Sequence, residues 1–401
     1  MARLLLVKLS AIGDVIHCLP AAHRLKQALP GLELHWLVEP LAAPLLVDNP
    51  CVDKVHVFEK KTWLGGLKSG QPATMLKSVA ALRALVSELR SKQFDYAIDA
   101  QGLFKSAFLA RQSGAKRVFG FKGTREMSEY LLSDKLDIGD YFGVSRHVVD
   151  LNLALADFVI STARGAAPPA QESSEQDSHT LVCFPLPSPP PQSEAKVASL
   201  FGMTAAPNTA TKNIGFIAGT TWDTKIWPSD HWIELGKRLL EEAGLDCRIF
   251  LLGGPSDRTT NQYIYKGLAS GTGGGGHVAD ITGETNLIDL VALFAKLDLV
   301  VGADTGPLHL ACAVASALDS GATSSAEPGS RHKSTTKVLA LHGSSPWGRN
   351  GPYGSPEQVA ACHLDLSCQP CFSKKCSLGT IACMKDLPSE KVFQMVMTML
   401  G

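Results

Sequence analysis

Three short stretches carry residue types suited to group-transfer chemistry on a phosphate-bearing substrate. In Asp304-Thr305-Gly306-Pro307-Leu308-His309, a carboxylate, a hydroxyl and an imidazole lie between a β-branched run ending at Val301 and an apolar, Ala-rich run from Leu308 to Val314. That order reads as strand, tight glycine turn and helix start, with Asp304 or Thr305 as the cap and Pro307 in the first turn. Free N–H groups at Thr305 and Gly306 would suit an anion, most often a phosphate; an ordinary capped β-α turn explains the same residues equally well. In Gly219 to Pro228, Thr220, Thr221 and Lys225 sit between a strand-like run, Ile214 to Ala218, and a helix opening near Ser229. Two hydroxyls and a point charge suit a diphosphate; a solvated surface lysine is the plainer alternative. Two such loops in one α/β half favour the ligand reading, because open parallel sheets bind ligands at their strand C-termini. The third stretch, Ser10-Ala11-Ile12-Gly13-Asp14, puts a carboxylate at the mouth of the first β-α turn. A carboxylate there can take a proton from a hydroxyl within hydrogen-bond reach. It can also simply cap a helix starting at Val15, and on these residues alone that is the stronger reading.

The elements that must position these groups alternate between strand and helix. Leu4 to Leu9 reads as a buried strand, followed by a helix over Val15 to Ala28 that Pro30-Gly31 ends. Leu34 to Val38, Lys54 to Phe58, Tyr96 to Ala100 and Val118 to Gly120 read as further strands. Amphipathic runs at Ala80 to Ser91 and His147 to Ile160 read as helices. The second half repeats the scheme, with strands at Ile214 to Ala218, Cys247 to Leu252, Leu297 to Val301 and, last, Val338 to Leu341. This alternation predicts an α/β fold with parallel, doubly wound sheets. Between the halves, residues 161–212 are rich in Ala, Pro, Ser, Gln and Glu and read as a largely disordered linker, apart from a helical stretch over Glu194 to Leu200. The expected domains are therefore 1–160 and 213–401, with a polar surface insert at 319–336 and a cleft between the halves for ligand.

The 401 residues carry 38 Lys and Arg against 38 Asp and Glu, so no net field favours nucleic acid or an anionic surface. No apolar run reaches the roughly 18 residues of a spanning helix. The run at Leu4 to Val7 is short and followed by Lys8 and Asp14, so it reads as a strand and not a signal peptide. Most of the ten Cys are scattered, as in a reduced cytosolic protein. The exception is Cys368, Cys371, Cys376 and Cys383, whose spacing is compatible with structural zinc. A disulfide pair and four free thiols are also open.

Four motifs occur in order: Lys8 to His17, Asp99-Ala100-Gln101-Gly102-Leu103-Phe104-Lys105-Ser106, Thr220 to Pro228, and Asp304 to His309. Together they resemble the lipopolysaccharide heptosyltransferases of glycosyltransferase family 9, nearest their heptosyltransferase I branch, over most of residues 1–160 and 213–400. Each motif is weak alone; the ordered set is specific. The resemblance implies the GT-B architecture, two Rossmann-like domains facing across a cleft. The C-terminal domain would hold ADP-L-glycero-β-D-manno-heptose and the N-terminal domain a Kdo-containing lipid A acceptor. Transfer would invert the anomeric centre without a bound metal or other cofactor, in the cytoplasm and peripherally at the inner membrane.

By the same resemblance Asp14 matches the family's catalytic base and Lys225 meets the leaving ADP. Thr220, Thr221, Asp257, Thr285, Asp304, Thr305, Gly306 and His309 would contact the donor, Asp257 at a hydroxyl and Thr285 through its backbone at the adenine edge. His309 as a core histidine is an equal alternative. Lys60, Lys61, Gln101, Lys105 and Arg125 would face the acidic acceptor, although Lys60 and Lys61 read individually as solvated charge. The Pro-rich linker and the 319–336 insert depart from a compact bacterial enzyme, which leaves another nucleotide sugar or acceptor open. A nucleotide-sugar epimerase of the same fold, or a non-catalytic nucleotide-sugar-binding protein, are the remaining alternatives.

Overall fold

Along β1 (Arg3–Val7), Leu4 and Leu6 pack into one hydrophobic cluster while Leu5 and Val7 pack into another. A strand buried on both faces needs helices on both sides and parallel neighbours. The computed structural model, described for residues 1–60, 63, 71–166, 182–204, 211–241, 245–270, 276–319 and 336–401, shows that arrangement twice. The chain divides into two compact units, the described parts of Met1–Ser178 with Pro185–Pro187, and of His179–Phe184 with Ser188–Gly401. In the first unit β1 is joined by β2 (Glu33–Val38), β3 (Lys54–Val57), β4 (Tyr96–Asp99), β5 (Arg117–Phe121) and β6 (Asp134–Leu136). All pair in parallel, in the order β3-β2-β1-β4-β5-β6. One face is covered by the helix Val148–Ala163 through Leu151, Leu155 and Val159, the other by Leu89 and Leu109 from the helices Pro72–Ser91 and Phe104–Gln112.

The second unit contains β7 (Lys212–Ile217), β8 (Cys247–Leu252), β9 (Val278–Asp280), β10 (Leu299–Ala303), β11 (Lys337–His342) and β12 (Val359–His363). They form a parallel sheet in the order β12-β11-β10-β7-β8-β9. Read from its other edge, this repeats the order of the first sheet. Both are Rossmann-like doubly wound sheets, the pair of folds that makes up the GT-B architecture. In each, the chain reverses direction across the sheet at its centre, between β1 and β4 and between β7 and β10, where ligands of such sheets bind.

Several expectations need correction. The predicted helix over Val15 to Ala28 is two helices, Ile12–Ile16 and Leu19–Ala28, with Pro20 in the first turn of the second. Asp14 therefore lies within the first short helix and not ahead of one. The short strands β6, β9 and β12 were not expected, so Val338 to Leu341 is not the last strand. The 161–212 linker is also too broad. The preceding helix runs to Ala163, Phe184 is 1% exposed, and Asn49 donates to the Pro185 carbonyl at 2.8 Å. Within the same stretch the helix Pro191–Phe201 packs on Leu287–Phe294, burying Val197 and Leu200. Residues 167–181 and 205–210 of that stretch, and 320–335 of the 319–336 insert, lie outside the described residues. At the insert's edges, Asp319 ends a helix and Thr336 donates to the Phe294 carbonyl. No helix among the described residues is long and apolar enough to cross a membrane.

Asp289 ties the Pro191–Phe201 helix down. Its carboxylate accepts from Ser193 Oγ at 2.6 Å and Lys196 Nζ at 2.9 Å. Burial pushes this carboxyl up, but those bonds outweigh it and hold it below the usual range. Asp289→Ala is expected to cost about 2 kcal/mol, the scale of a lost charged hydrogen bond in a buried site. Urea unfolding measures this; an unchanged midpoint would mean that apolar packing alone docks the helix.

Candidate functional site

At the C-terminal end of β10, the backbone turns at Asp304 into the helix Gly306–Asp319. Asp304 is 5% exposed, and both of its oxygens are occupied. Oδ2 lies 2.6 Å from Lys225 Nζ and Oδ1 lies 2.9 Å from His309 Nε2. Lys225 reaches it from the short 3-10 turn Asp223–Lys225 that follows β7, so the two loops predicted to bind phosphate meet at the centre of the second sheet. His309 Nε2 bonds the carboxylate, one turn into the helix, so its ring belongs to the cluster. Among the described residues, Thr305 Oγ1 is buried with no hydrogen-bond partner, and Thr220 Oγ1 has only a long contact, 3.5 Å, from the Trp222 N–H. Thr221 is exposed.

Asp257 joins the same rim. A Cβ at Gly219 would lie 2.3 Å from Asp257 Cγ, so only glycine lets the β7 loop pass the carboxylate this closely. Asp257 also accepts from the Gly254 N–H at 2.8 Å. The Gly283 N–H donates to the Gly253 carbonyl, which places the loop carrying half-buried Thr285 beside the Asp257 loop.

The sequence reading missed His342, which ends β11 and is fully buried. Its Nδ1 lies 3.3 Å from Ser345 Oγ, and its Nε2 has no hydrogen-bond partner among the described residues. No motif marked it; the one available signal was an imidazole at a strand C-terminus, level with Asp304 across the β10–β11 pairing. Burial pushes the Asp304 carboxyl up, but the His309 hydrogen bond and the charges of His309, His342 and Lys225 hold it well below the usual range. Burial pushes the His342 imidazole down to about 4, against the pull of Asp304. A histidine with a folded pKa below its unfolded value binds fewer protons folded than unfolded. Its contribution to stability therefore falls as pH drops from about 6.5 to about 4. Asp304, with a depressed carboxyl, adds a loss that sets in below its unfolded value of 3.8. His342→Phe is expected to flatten the upper window by about 3 kcal/mol. Urea unfolding across that range measures it; an unchanged slope would remove His342 as the cause.

The first unit has an equivalent centre between β1 and β4. Gln101 Oε1 accepts from the N–H groups of Leu9 and Ser10, at 3.0 and 3.2 Å, and so fixes the loop leading to Asp14. Asp14 is half-buried, and its carboxylate accepts from the Ala11 N–H at 3.0 Å. Lys8, 4% exposed, donates to the Ala100 carbonyl at 2.7 Å. Burial pushes its ammonium down, and the charges of Asp14, Tyr141, Cys18 and Asp99 raise it above the usual lysine value. Burial lifts the Asp99 carboxyl to about 6. Glu39, also missed by the sequence reading, follows β2 and gathers Ser10 Oγ at 3.3 Å, Lys105 Nζ at 3.0 Å and Lys60 Nζ at 3.8 Å. Arg125 is exposed and lies over the Phe142 ring, 4.9 Å from its centroid. Lys61 lies outside the described residues.

The structure lends no support to the zinc reading of the tail cysteines over the other two. Cys368 and Cys371 are exposed, Cys376 is half-buried and Cys383 faces the core, all as free thiols. Among the described residues no group of three or more His, Cys, Asp or Glu is arranged to hold a metal.

A model of glycosyltransferase family 9 (heptosyltransferase) matches residues 82–318, more than half of the chain. Lipopolysaccharide heptosyltransferase 1 of Pseudomonas aeruginosa is 27% identical over 382 residues, covering 94% of this chain and 87% of that protein. The protein of that name from Escherichia coli K12 is 26% identical over 315 residues, covering 78% and 85%. Among solved structures, E. coli heptosyltransferase WaaC with ADP aligns over 99% of both chains, with a TM-score of 0.68 and 23% identity. A glycosyl transferase family 9 protein from Veillonella parvula aligns over 100% of this chain and 97% of its own, with a TM-score of 0.73 and 17% identity. These two structures share the fold.

Proposed function

Since the chain belongs to glycosyltransferase family 9, and is thus a glycosyltransferase, we propose that it moves L-glycero-D-manno-heptose from ADP-heptose to the Kdo inner core of a lipid A precursor. The observation that carries this reading is the buried Lys225–Asp304–His309 cluster at the centre of the second sheet, with Thr305 Oγ1 beside it lacking a partner. The relatives named above are lipopolysaccharide heptosyltransferases, and one solved neighbour carries ADP. A lipid-linked acceptor would bring the enzyme to the cytoplasmic surface of the inner membrane.

In this reading Asp14 takes the proton from the acceptor hydroxyl as that oxygen bonds to the anomeric carbon. The bond from that carbon to the β-phosphate oxygen breaks, and ADP leaves with the electron pair. The extra charge is met by Lys225 and by the Thr305 and Gly306 N–H groups at the helix start. Asp304 and His309 hold the ammonium in place before the donor arrives. Thr220, Thr221, Asp257 and Thr285 line the donor's other side. Lys60, Lys105 and Arg125 would meet the acceptor's carboxylates and phosphates, with Gln101 shaping the loop between them. The test is incubation with ADP-L-glycero-β-D-manno-heptose and Kdo2-lipid A, with the product read by mass spectrometry. A mass increase of one heptose is expected; a folded enzyme that gives none would overturn the donor–acceptor assignment.

A further inference from the structure

The tail segment that bears Cys368 and Cys371 grips the turn that presents Lys225. Thr224 is 1% exposed, and its single hydroxyl proton has one destination. Oγ1 lies 2.6 Å from the Ser373 carbonyl oxygen, which can only accept. Ser344 Oγ, 2.8 Å from the same atom, must then donate to Thr224 Oγ1. The Ser344 carbonyl accepts in turn from the Phe372 N–H at 2.7 Å, and the Gly343 carbonyl accepts from Gln369 Nε2 at 2.7 Å. The loop after β11 leaves no room here: a Cβ at Gly343 would lie 2.5 Å from the Thr224 carbonyl oxygen and 2.7 Å from Met384 Sδ. On the other side of the turn, the Trp222 ring has Lys225 Nζ 4.4 Å and Lys374 Nζ 5.4 Å from its centroid, with the Phe372 ring at 5.7 Å.

The turn itself has little to fix it. Asp223–Lys225 is a single 3-10 turn, closed by Lys225 N–H to the Trp222 carbonyl at 3.0 Å and Ile226 N–H to the Asp223 carbonyl at 3.3 Å. Such short turns are weakly held by their own hydrogen bonds. We propose that Thr224, knotted to Ser344 and to the tail segment 369–374, is the positioning residue that sets the Lys225 ammonium for the leaving diphosphate. This rests on the reading of Lys225 above. It gives the cysteine-bearing tail a role in the transfer, through its backbone and Gln369.

Thr224→Val keeps the shape and removes both hydrogen bonds; Thr224→Ser keeps both. Thr224→Val is expected to lower kcat about ten- to a hundredfold, as sub-ångström misplacement does. It should also weaken ADP binding, read by calorimetry, and leave the KM for the acceptor unchanged. Thr224→Ser is expected to restore both kcat and ADP affinity. Wild-type kcat and ADP affinity in Thr224→Val would overturn the proposal, and so would a folded Thr224→Ser enzyme as impaired as Thr224→Val. If Thr224→Val does not fold, half-exposed Gln369→Ala is measured instead, with the same direction expected and an unchanged enzyme counting against the brace. If the wild type makes no product from ADP-heptose yet binds ADP, the donor reading fails and the ADP affinities of the variants decide the brace alone. A wild type that binds no ADP overturns both.

Discussion

An Asp14→Asn enzyme is expected to lose about 10²–10⁴-fold in kcat, the usual worth of a positioned general base, while remaining folded and binding ADP as the wild type does. The choice of asparagine matters because the structure gives Asp14 a second job. Its carboxylate accepts the Ala11 N–H at the start of the short helix Ile12–Ile16. An amide oxygen can keep that bond but cannot take a proton at neutral pH. If Asp14 only caps, Asp14→Asn stays active and Asp14→Ala loses roughly 1 kcal/mol of stability. If it is the base, both variants fail at the chemical step. Single-turnover rates with a saturating acceptor separate these cases, and near-normal rates in the asparagine variant would remove Asp14 from the proton transfer.

Lys225→Met should show two losses that can be pulled apart. Removing a pre-placed charge from a developing anion costs about 10²–10³-fold in kcat. It also leaves Asp304, buried beside it, with His309 as its remaining side-chain partner. Breaking a buried pair by removing one side costs about 3 kcal/mol. Adding Asp304→Asn to Lys225→Met should return much of that stability, because the stranded charge goes too, while activity stays low. A double variant that regained activity would mean that Lys225 matters only through the fold. The decisive measurements are the melting temperature and kcat of both enzymes.

The central strands were readable because their sequences satisfy one strong condition. Leu4 to Val7, Ile249 to Leu252 and Leu299 to Val301 are continuous apolar runs, and burial on both faces leaves them no other comfortable state. The edge strands β6, β9 and β12 are three to five residues long and carry Asp, Lys or His, so their pattern does not separate from loop. Within 182–204 the helical reading of Glu194 to Leu200 holds, but the rest falls to the linker reading because prolines dominate its composition. Its fold is written in sparser signs: a proline at the first position of the helix Pro191–Phe201, and Val197 and Leu200 three residues apart on its buried face. For the site, Asp304, Lys225 and His309 were legible as turn residues at strand ends, and the structure brings them into contact. Glu39 and His342 were not, since each becomes significant only beside groups far away in sequence.

The placement of both centres also bears on how the protein opens. β1 with β4, and β7 with β10, are the two innermost strands of their sheets, each pair flanked by two more strands on either side. Amides on inner rungs exchange with solvent only when a whole cooperative unit comes apart, whereas edge rungs such as β6 and β9 exchange by local fraying. The groups proposed to react are thus attached to the inner strands of each sheet, the part expected to exchange slowest. Mild denaturant that frays the edges should leave turnover intact, and activity should be lost together with the protection of Leu5 and Leu6 in the first unit or of Val300 and Val301 in the second.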